Sequence, residues 1–568
     1  MTNLRGGEAN MQLLYTKDGR NLPETPWKVY PRPQMVREKW LCLNGTWELK
    51  SENGLEEKIR VPFCPESLLS GIQNPPATGE SFQYRRLFSI PDDWKGKRVL
   101  LHCGAVSRTA DVLVNGKRVA CHTDSYLPFS ADISEALRSG ENELMIRAKN
   151  DLSHQHPWGK QSVKRGGMWY TPVSGIWQTV WLEPVPEKYI SRLKITTSDT
   201  AVKICAEGAE EGTVVFCGKE YPLVQGIVEI TVPDPVLWSP ENPHLYPFIV
   251  KSGDDSVSSY FALRTLSTEI NNGISRLCLN GKPYFFNGVL DQGYWSDGLY
   301  TPATPKAFEK DILTMKSLGF NTLRKHIKIE PEQFYYDCDR LGMIVFQDMV
   351  NCGEYSWLWD TALPTAHFRK PDDRRLHRDP ETRRNFRRSM CETAELLGNH
   401  PCICLWTIFN EGWGQFCADD AYDELKSLDS SRFVDSTSGW FHQKKSDVDS
   451  LHIYFGKLKL GKQKLPQLLS EFGGYSYKID RNSYNLDKTY GYRKYENRAR
   501  YVEALQELYR DKIRPLSQEG LCGSIYTQVS DVEDETNGLL TYDREVLKVQ
   551  PEEIKPIIDE ILAAYPGK

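Results

Sequence analysis

Over the first third of the chain, apolar and polar positions alternate in short bursts, the period-2 signature of half-buried strands. Val99-Leu100-Leu101-His102-Cys103, Glu143-Leu144-Met145-Ile146-Arg147-Ala148 and the run from Gly175-Ile176-Trp177 to Trp181-Leu182-Glu183 are of this kind. Ala110-Asp111-Val112-Leu113-Val114 leads into Asn115-Gly116, a pair that favours a tight hairpin turn. No amphipathic helix intervenes, so residues 1–185 are expected to form an N-terminal β-sandwich of jelly-roll type. Pro184-Val185-Pro186 is stiff punctuation. Residues 186–266 show short strands again, near 193–196, 214–217 and 228–232. A length of about 80 residues suits a small immunoglobulin-like β-sandwich.

From 267 to 568 the rhythm changes to strands alternating with helical patterns. Strands are expected at 285–289, 322–324, 344–347, 403–409, 433–436, 450–452, 468–470 and 523–527. The sixth of these carries the faintest pattern. Helical stretches fall at 305–318, 331–341, 380–397 and 497–510. This rhythm predicts a C-terminal (β/α)8 TIM barrel.

Composition narrows the function. The 71 Lys and Arg against 76 Asp and Glu give a net charge of −5, which argues against nucleic acid as the main partner. The 15 Trp and 28 Tyr suit sugar sites and all-β domains alike. The 14 Cys form no CxxC pair and no zinc spacing, and read as free thiols of a reducing cytoplasm. His154-Gln155-His156 lacks a third ligand at recognisable spacing, so no metal or other cofactor is expected. Met1-Thr2-Asn3-Leu4-Arg5-Gly6-Gly7 has no apolar core of a secretion signal. No apolar run of about 18 residues exists, so no membrane span is expected.

Two glutamates close buried-looking strands: Ile403-Cys404-Leu405-Trp406-Thr407-Ile408-Phe409-Asn410-Glu411 and Leu468-Leu469-Ser470-Glu471-Phe472-Gly473-Gly474. A barrel carries its catalytic groups at such C-terminal strand ends, here those of strands 4 and 7. Glycosidic-bond cleavage needs two acids, one to protonate the leaving oxygen and one to attack or to activate water. The proton donor must keep its proton near neutral pH, through burial or a neighbouring negative charge.

Leu43-Asn44-Gly45-Thr46-Trp47, Ser174-Gly175-Ile176-Trp177-Gln178, Leu237-Trp238-Ser239-Pro240-Glu241-Asn242-Pro243, Leu279-Asn280-Gly281-Lys282-Pro283, Gly319-Phe320-Asn321-Thr322-Leu323-Arg324 and Asn399-His400-Pro401 join the two glutamate segments in one pattern. In their order and spacing the chain resembles glycoside hydrolase family 2, the group of β-galactosidases, β-glucuronidases and β-mannosidases, over nearly its whole length. The resemblance implies Glu411 as acid/base and Glu471 as nucleophile of a double displacement that retains anomeric configuration, with the carboxyls about 5–5.5 Å apart. It implies that Asn410 donates to the sugar 2-hydroxyl, that Tyr454 hydrogen-bonds the nucleophile, and that Arg324 lies close to it. His326 departs from the pattern, because one residue rather than two separates it from Arg324. A substrate contact and a structural histidine are equally open. Asp151 sits where some relatives extend a sandwich loop to bind distal hydroxyls. Trp413, Trp357, Trp359 and Tyr526 are candidate sugar platforms or packing residues, and several relatives have a tryptophan at the place of Tyr526.

Family glucuronidases resemble one another in an Asn-x-Lys pair that grips the substrate carboxylate. The nearest segment here, Glu535-Thr536-Asn537-Gly538, has no lysine, and Glu535 facing the pocket would repel a uronate. A uronidase using another cation, such as Lys325, stays open. The chain ends after the barrel, without the extra C-terminal domains of the large lactose-cleaving members. The expectation is therefore a retaining exo-β-glycosidase of β-galactosidase-like specificity, acting on a carbohydrate or glycoside substrate. The alternatives are a β-uronidase (glucuronidase or galacturonidase) or another family 2 specificity and, in a different class, a non-catalytic carbohydrate-binding protein. A lyase or aldolase would need a Schiff-base lysine or a metal cluster at the strand ends, and neither is found. Dimers and tetramers are frequent in the family, so a homo-oligomer is compatible.

Overall fold

In the computed structural model of the chain, residues 10–363, 372–455, 458–461 and 464–566 are described. The extreme N-terminal stretch read above for a secretion signal lies outside them.

The N-terminal domain pairs a four-stranded sheet with a six-stranded one. Alternation directs every second side chain inward. Along Glu141–Lys149, Asn142, Leu144, Ile146 and Ala148 are buried while their neighbours reach solvent. Trp47, Tyr84, Val112, Ile146 and Leu182 meet in the core between the sheets. Asn115 and Gly116, at φ 51° and 81°, form the tight turn between Thr109–Val114 and Lys117–Thr123. The second domain is a set of seven antiparallel strands from Arg192–Thr197 to Asp255–Phe261, with its own core of Ile204, Val214, Phe248 and Phe261.

The C-terminal domain is the barrel. Its strands are β1 (Phe286–Asp291), β2 (Thr322–Lys325), β3 (Ile344–Asp348), β4 (Ile403–Asn410), β5 (Phe433–Ser438), β6 (Asp449–Ile453), β7 (Gln467–Phe472) and β8 (Leu521–Tyr526). All pair in parallel in the order β5-β4-β3-β2-β1-β8-β7-β6. The seam between β5 and β6 is stitched by single bonds: Asp447 N–H donates to Val434 O at 2.9 Å, and the Asp447 carboxylate accepts from Val434 N–H at 2.8 Å. Among the described residues the α-helices are α1 (Lys306–Ser317), α2 (Glu332–Leu341), α3 (Pro380–Leu397), α4 (Ala418–Leu428), α5 (Arg498–Glu507), α6 (Arg514–Glu519) and α7 (Pro551–Ala564). Sequence periodicity did not mark α4. No helix among the described residues is long and apolar enough to cross a membrane.

Two features fix the site. First, α3 starts with Pro380 at its first turn, while the Asp379 carboxylate accepts from Thr382 N–H at 3.0 Å. Its apolar stripe of Phe386, Met390, Ala394 and Leu397 is buried. Phe386 stacks on Phe409 of β4 at 4.8 Å, so truncating it to Ala removes about 3–5 kcal/mol and loosens the strand that carries Glu411. Second, the sandwich loop after Lys149 lies across the barrel mouth. His154 O accepts from Gly353 N–H at 2.6 Å, and Trp158 Nε1 donates to Gly353 O at 3.1 Å. From the same loop, Tyr170 Oη donates to Glu535 Oε2 at 2.9 Å.

Candidate active site

Every residue of β7, including Glu471, is buried. The chain then turns through Gly473 at φ 80°, where a Cβ would lie 2.5 Å from the Tyr526 ring, so only glycine fits. Glu471 Oε1 accepts from Arg324 Nη1 at 3.0 Å, and its Oε2 accepts from the Tyr454 hydroxyl. The Tyr454 ring is held by stacking on Tyr492, centroids 3.7 Å apart.

Arg324, at the end of β2 and 1% exposed, ties three further strand ends together. Its Nε and Nη2 contact the Asp348 carboxylate at 3.0 and 2.9 Å, Nη2 donates to Asn410 Oδ1 at 2.8 Å, and Nη1 donates to Ser470 O at 3.0 Å. Such a planar, permanently charged fork suits a buried carboxylate network. Burial alone would raise the Glu471 carboxyl. His452 when protonated, together with Arg324, overcomes this and lowers it to about 2, so the side chain is an anion at neutral pH.

Glu411 follows β4 in the left-handed region, at φ 51°, a conformation that costs a non-glycine residue about 1 kcal/mol or more. Its N–H donates to Ser438 O at 2.9 Å, and its C=O accepts from Trp440 Nε1 at 3.1 Å, which together hold it there. Its Oε1 lies 2.8 Å from His452 Nδ1. His452 Nε2 lies 3.0 Å from Ser438 Oγ and 3.6 Å from Glu471 Oε1, so one imidazole spans both glutamates. One ligand-type atom each from Glu411, His452 and Glu471 fall within 4.8 Å of one another. Such a trio could hold a cation by spacing. The direct donation of Arg324 and Tyr454 to Glu471 fits an acid pair instead.

Asn410, with Oδ1 taken by Arg324, has an amide nitrogen with no partner among the described residues. His326 Nδ1 lies 2.6 Å from Asp348 Oδ2. Burial and then the charge of Lys160 push its pKa down to about 4, so it is neutral at pH 7. Nδ1–H then donates to Asp348, which leaves Nε2 as an acceptor. Trp413 is buried against Trp169 and Tyr355, at 5.5 and 5.7 Å, and its indole N–H has no partner among the described residues. Trp357 and Trp359 stand 65% and 56% exposed on the turn Trp357–Ala362, which is linked to Glu411 through Trp440.

Two of the expected site residues are held elsewhere. Tyr526 has no exposed surface; it packs beneath Gly473 and its hydroxyl accepts from Tyr475 N–H at 3.2 Å. Asp151 stays with the sandwich, bound by Arg108 and by Ser153 N–H. Lys325, weighed as a cation for a uronate, is spent: its Nζ donates to Asp291 at 2.5 Å and to Glu330 at 2.8 Å. Sequence reasoning did not single out His452, Asp348, Lys160 or Trp169. His452 was within reach, since strand period puts it on the same face as Tyr454 two residues on. Asp348 ends an apolar strand, as Glu411 and Glu471 do. Lys160 and Trp169 carry no such signal, because only the docked loop brings them to the mouth.

Three family models match the chain. "Glycosyl hydrolases family 2, TIM barrel domain" covers 269–471, "Glycosyl hydrolase 2 galactose-binding domain-like" covers 59–171, and "Glycosyl hydrolases family 2" covers 187–264. The chain belongs to glycoside hydrolase family 2. The β-galactosidase of Aeromonas hydrophila is 27% identical over 485 residues, 76% of this family 2 chain and 44% of that enzyme. The β-glucuronidase of Felis catus is 26% identical over 451 residues, 67% of this chain and 65% of that one. The chain therefore spans less than two thirds of the length of these relatives. Among solved structures, the β-D-glucuronidase of Dictyoglomus thermophilum superposes with a TM-score of 0.73 at 20% identity, covering 95% of this chain and 99% of that one. A β-galacturonidase of Eisenbergiella tayi bound to galacturonate gives 0.68 at 20% identity, covering 94% and 99%. At such identities these structures establish the shared fold.

Proposed function

We propose that this chain is a retaining exo-β-glycosidase that hydrolyses terminal β-linked sugars. The observation that carries this reading is the close approach of Glu411 and Glu471, with one carboxylate oxygen of each within 4.8 Å of the other. Retaining enzymes keep the two carboxyls about 5–5.5 Å apart, whereas inverting enzymes need about 6.5–9.5 Å to admit a water. A Glu471 oxygen attacks the anomeric carbon while the bond to the aglycone oxygen breaks, and that oxygen takes the Glu411 proton. A water then gives a proton to Glu411 and attacks the same carbon, and Glu471 departs as carboxylate. The unpaired Asn410 amide supports a role in donating to the 2-hydroxyl.

For the glycone, a neutral β-galactoside and a β-uronide are the two readings; Lys160 of the sandwich loop, beside Tyr170 and Trp413, favours the uronide. The fourteen cysteines are all unpaired, which supports a reducing compartment such as the cytoplasm. The test is a panel of p-nitrophenyl β-galactoside, β-glucuronide, β-galacturonide, β-glucoside, β-mannoside and α-L-arabinoside. Strong release from one member is expected and names the glycone. Silence across the panel, with the chain folded, would overturn the hydrolytic reading.

A further inference from the structure

Lys160 enters the barrel mouth on the sandwich loop and is only 8% exposed. Its Nζ makes no hydrogen bond and no ion pair among the described residues. Its neighbours are the Tyr170 and Trp413 rings, each with its centroid 5.7 Å from the ammonium. Other buried cations nearby are spoken for. Arg324 is bound by Asp348, Glu471 and Asn410, and Lys325 by Asp291 and Glu330. Lys328 is bound by Glu330 and two carbonyls, and Lys548 by Asp531 and Thr536 O. A largely buried lysine whose ammonium has no ion-pair or hydrogen-bond partner of its own is unfavourable. The arrangement makes sense when the anion arrives with the ligand.

The charge of Lys160 reaches Glu471, His326 and Glu535, so it shares the pocket of the reacting carboxylates. Glu535 does not neutralise it: the two form no ion pair, and Glu535 Oε2 already accepts from Tyr170 Oη at 2.9 Å and Gln528 Nε2 at 2.7 Å. Burial also pushes the Glu535 carboxyl upward, toward its neutral form. Trp413, whose ring adjoins the ammonium, adds a buried N–H without a partner. A carboxylate meets an ammonium charge to charge, whereas a hydroxyl satisfies it less fully.

We propose that Lys160 receives the carboxylate of a hexuronic acid, so that the substrates are β-linked uronides rather than neutral glycosides. This rests on the hydrolytic reading of Glu411 and Glu471. It assigns glycone selection to the sandwich domain rather than to a barrel strand.

The experiment compares wild type, Lys160→Met and Lys160→Arg on p-nitrophenyl β-galacturonide, β-glucuronide and β-galactoside. In parallel, the binding of free D-galacturonate, D-glucuronate and D-galactose is measured by calorimetry. The wild type should prefer a uronide. Lys160→Met should lower the uronide-to-galactoside ratio of kcat/KM by about 100-fold, and Lys160→Arg by less. Uronate binding should weaken in Lys160→Met by a similar factor. A wild type that prefers the galactoside, or a Met variant of unchanged melting temperature that loses both activities equally, overturns the proposal. Should no glycoside turn over, uronate binding that depends on Lys160 still supports the assignment while the hydrolytic reading falls; absence of uronate binding defeats it independently.

Discussion

Glu411 and Glu471 leave the same end of the barrel, yet their surroundings differ in kind. Glu471 is 4% exposed and takes donors at both oxygens, from Arg324 and from Tyr454. Glu411 touches His452 with one oxygen, while the other makes no hydrogen bond among the described residues. Its backbone is held in the left-handed region. Fixed donors around a carboxylate favour its anion, which is what a nucleophile requires. A group that gives up and retakes a proton needs an oxygen free for the leaving group and for water. The asymmetry supports the separate roles proposed for two identical side chains, and the largest expected effects come from exchanging or erasing it.

Glu471→Ala removes the anion itself. Turnover should fall by at least about 10⁴-fold with the melting temperature nearly kept. Added azide should then restore part of the activity on a good leaving group and yield the α-glycosyl azide, seen by NMR. Near-wild-type activity without azide would break the comparison at once.

That the places of both glutamates at the strand ends could be read from sequence follows from barrel geometry. Where a parallel strand is buried on both faces it is written as a long apolar run, and the first acid after it stands at the functional rim. Ile403 to Phe409 and Leu468 to Ser470 obey this rule, and all eight strands lie within a few residues of their expected bounds. The 380–397 helix was legible because Asp379-Pro380 is a start signal and its apolar stripe has helical period. The rest depends on contacts that no local pattern encodes. Lys160 meets Trp413 because of a loop that crosses between domains. The N-terminal segment bonds to the barrel as well as to the sandwich. Gln12 N–H donates to Tyr484 O at 2.8 Å, and Trp27 Nε1 donates to Pro302 O at 2.8 Å. His452 sits on the strand with the faintest pattern, whose partly exposed residues blur its alternation.

Glu411→Gln keeps the shape and deletes the transferable proton. Substrates with poor leaving groups should slow by about 10²–10⁴-fold, while those with activated phenols slow far less at the first step. A series of aryl glycosides measures this as a steeper dependence on leaving-group pKa. Equal losses along the series would place the acid elsewhere and erase the distinction between the two glutamates.

Arg324→Met attacks the asymmetry from the Glu471 side. The native carboxyl is held down at about 2, so the acid limb of the kcat/KM profile set by this group lies near pH 2 in the wild type. Without the guanidinium, burial acts against less opposition, the carboxyl rises, and the acid limb should move up toward and beyond the ordinary carboxylate range. The folding sign agrees. A lowered native pKa contributes stability above the unfolded value of about 4.3, lost as pH falls through the native value, so the variant should gain less stability between pH 2 and 5. A pH profile that falls in height without moving would show Arg324 to be a scaffold rather than one of the charges that hold Glu471 ionised.

Asp151→Asn should have the smallest effect, and it tests whether the demand for negative charge is confined to the two strand ends. Asp151 and Lys160 leave the sandwich on one loop, but Lys160 is buried at the mouth while the Asp151 carboxylate is 41% exposed and engaged with Arg108. An exposed pair of this kind contributes about 0–1 kcal/mol, so melting should shift by no more than a few degrees. Activity on the preferred glycoside should stay within about twofold, because surface substitutions away from the reacting atoms change little. A loss of tenfold or more in kcat/KM at unchanged melting temperature would mean that the loop swings Asp151 onto the substrate during turnover. The site would then hold a third working acid, and the contrast between Glu411 and Glu471 would describe the resting arrangement alone.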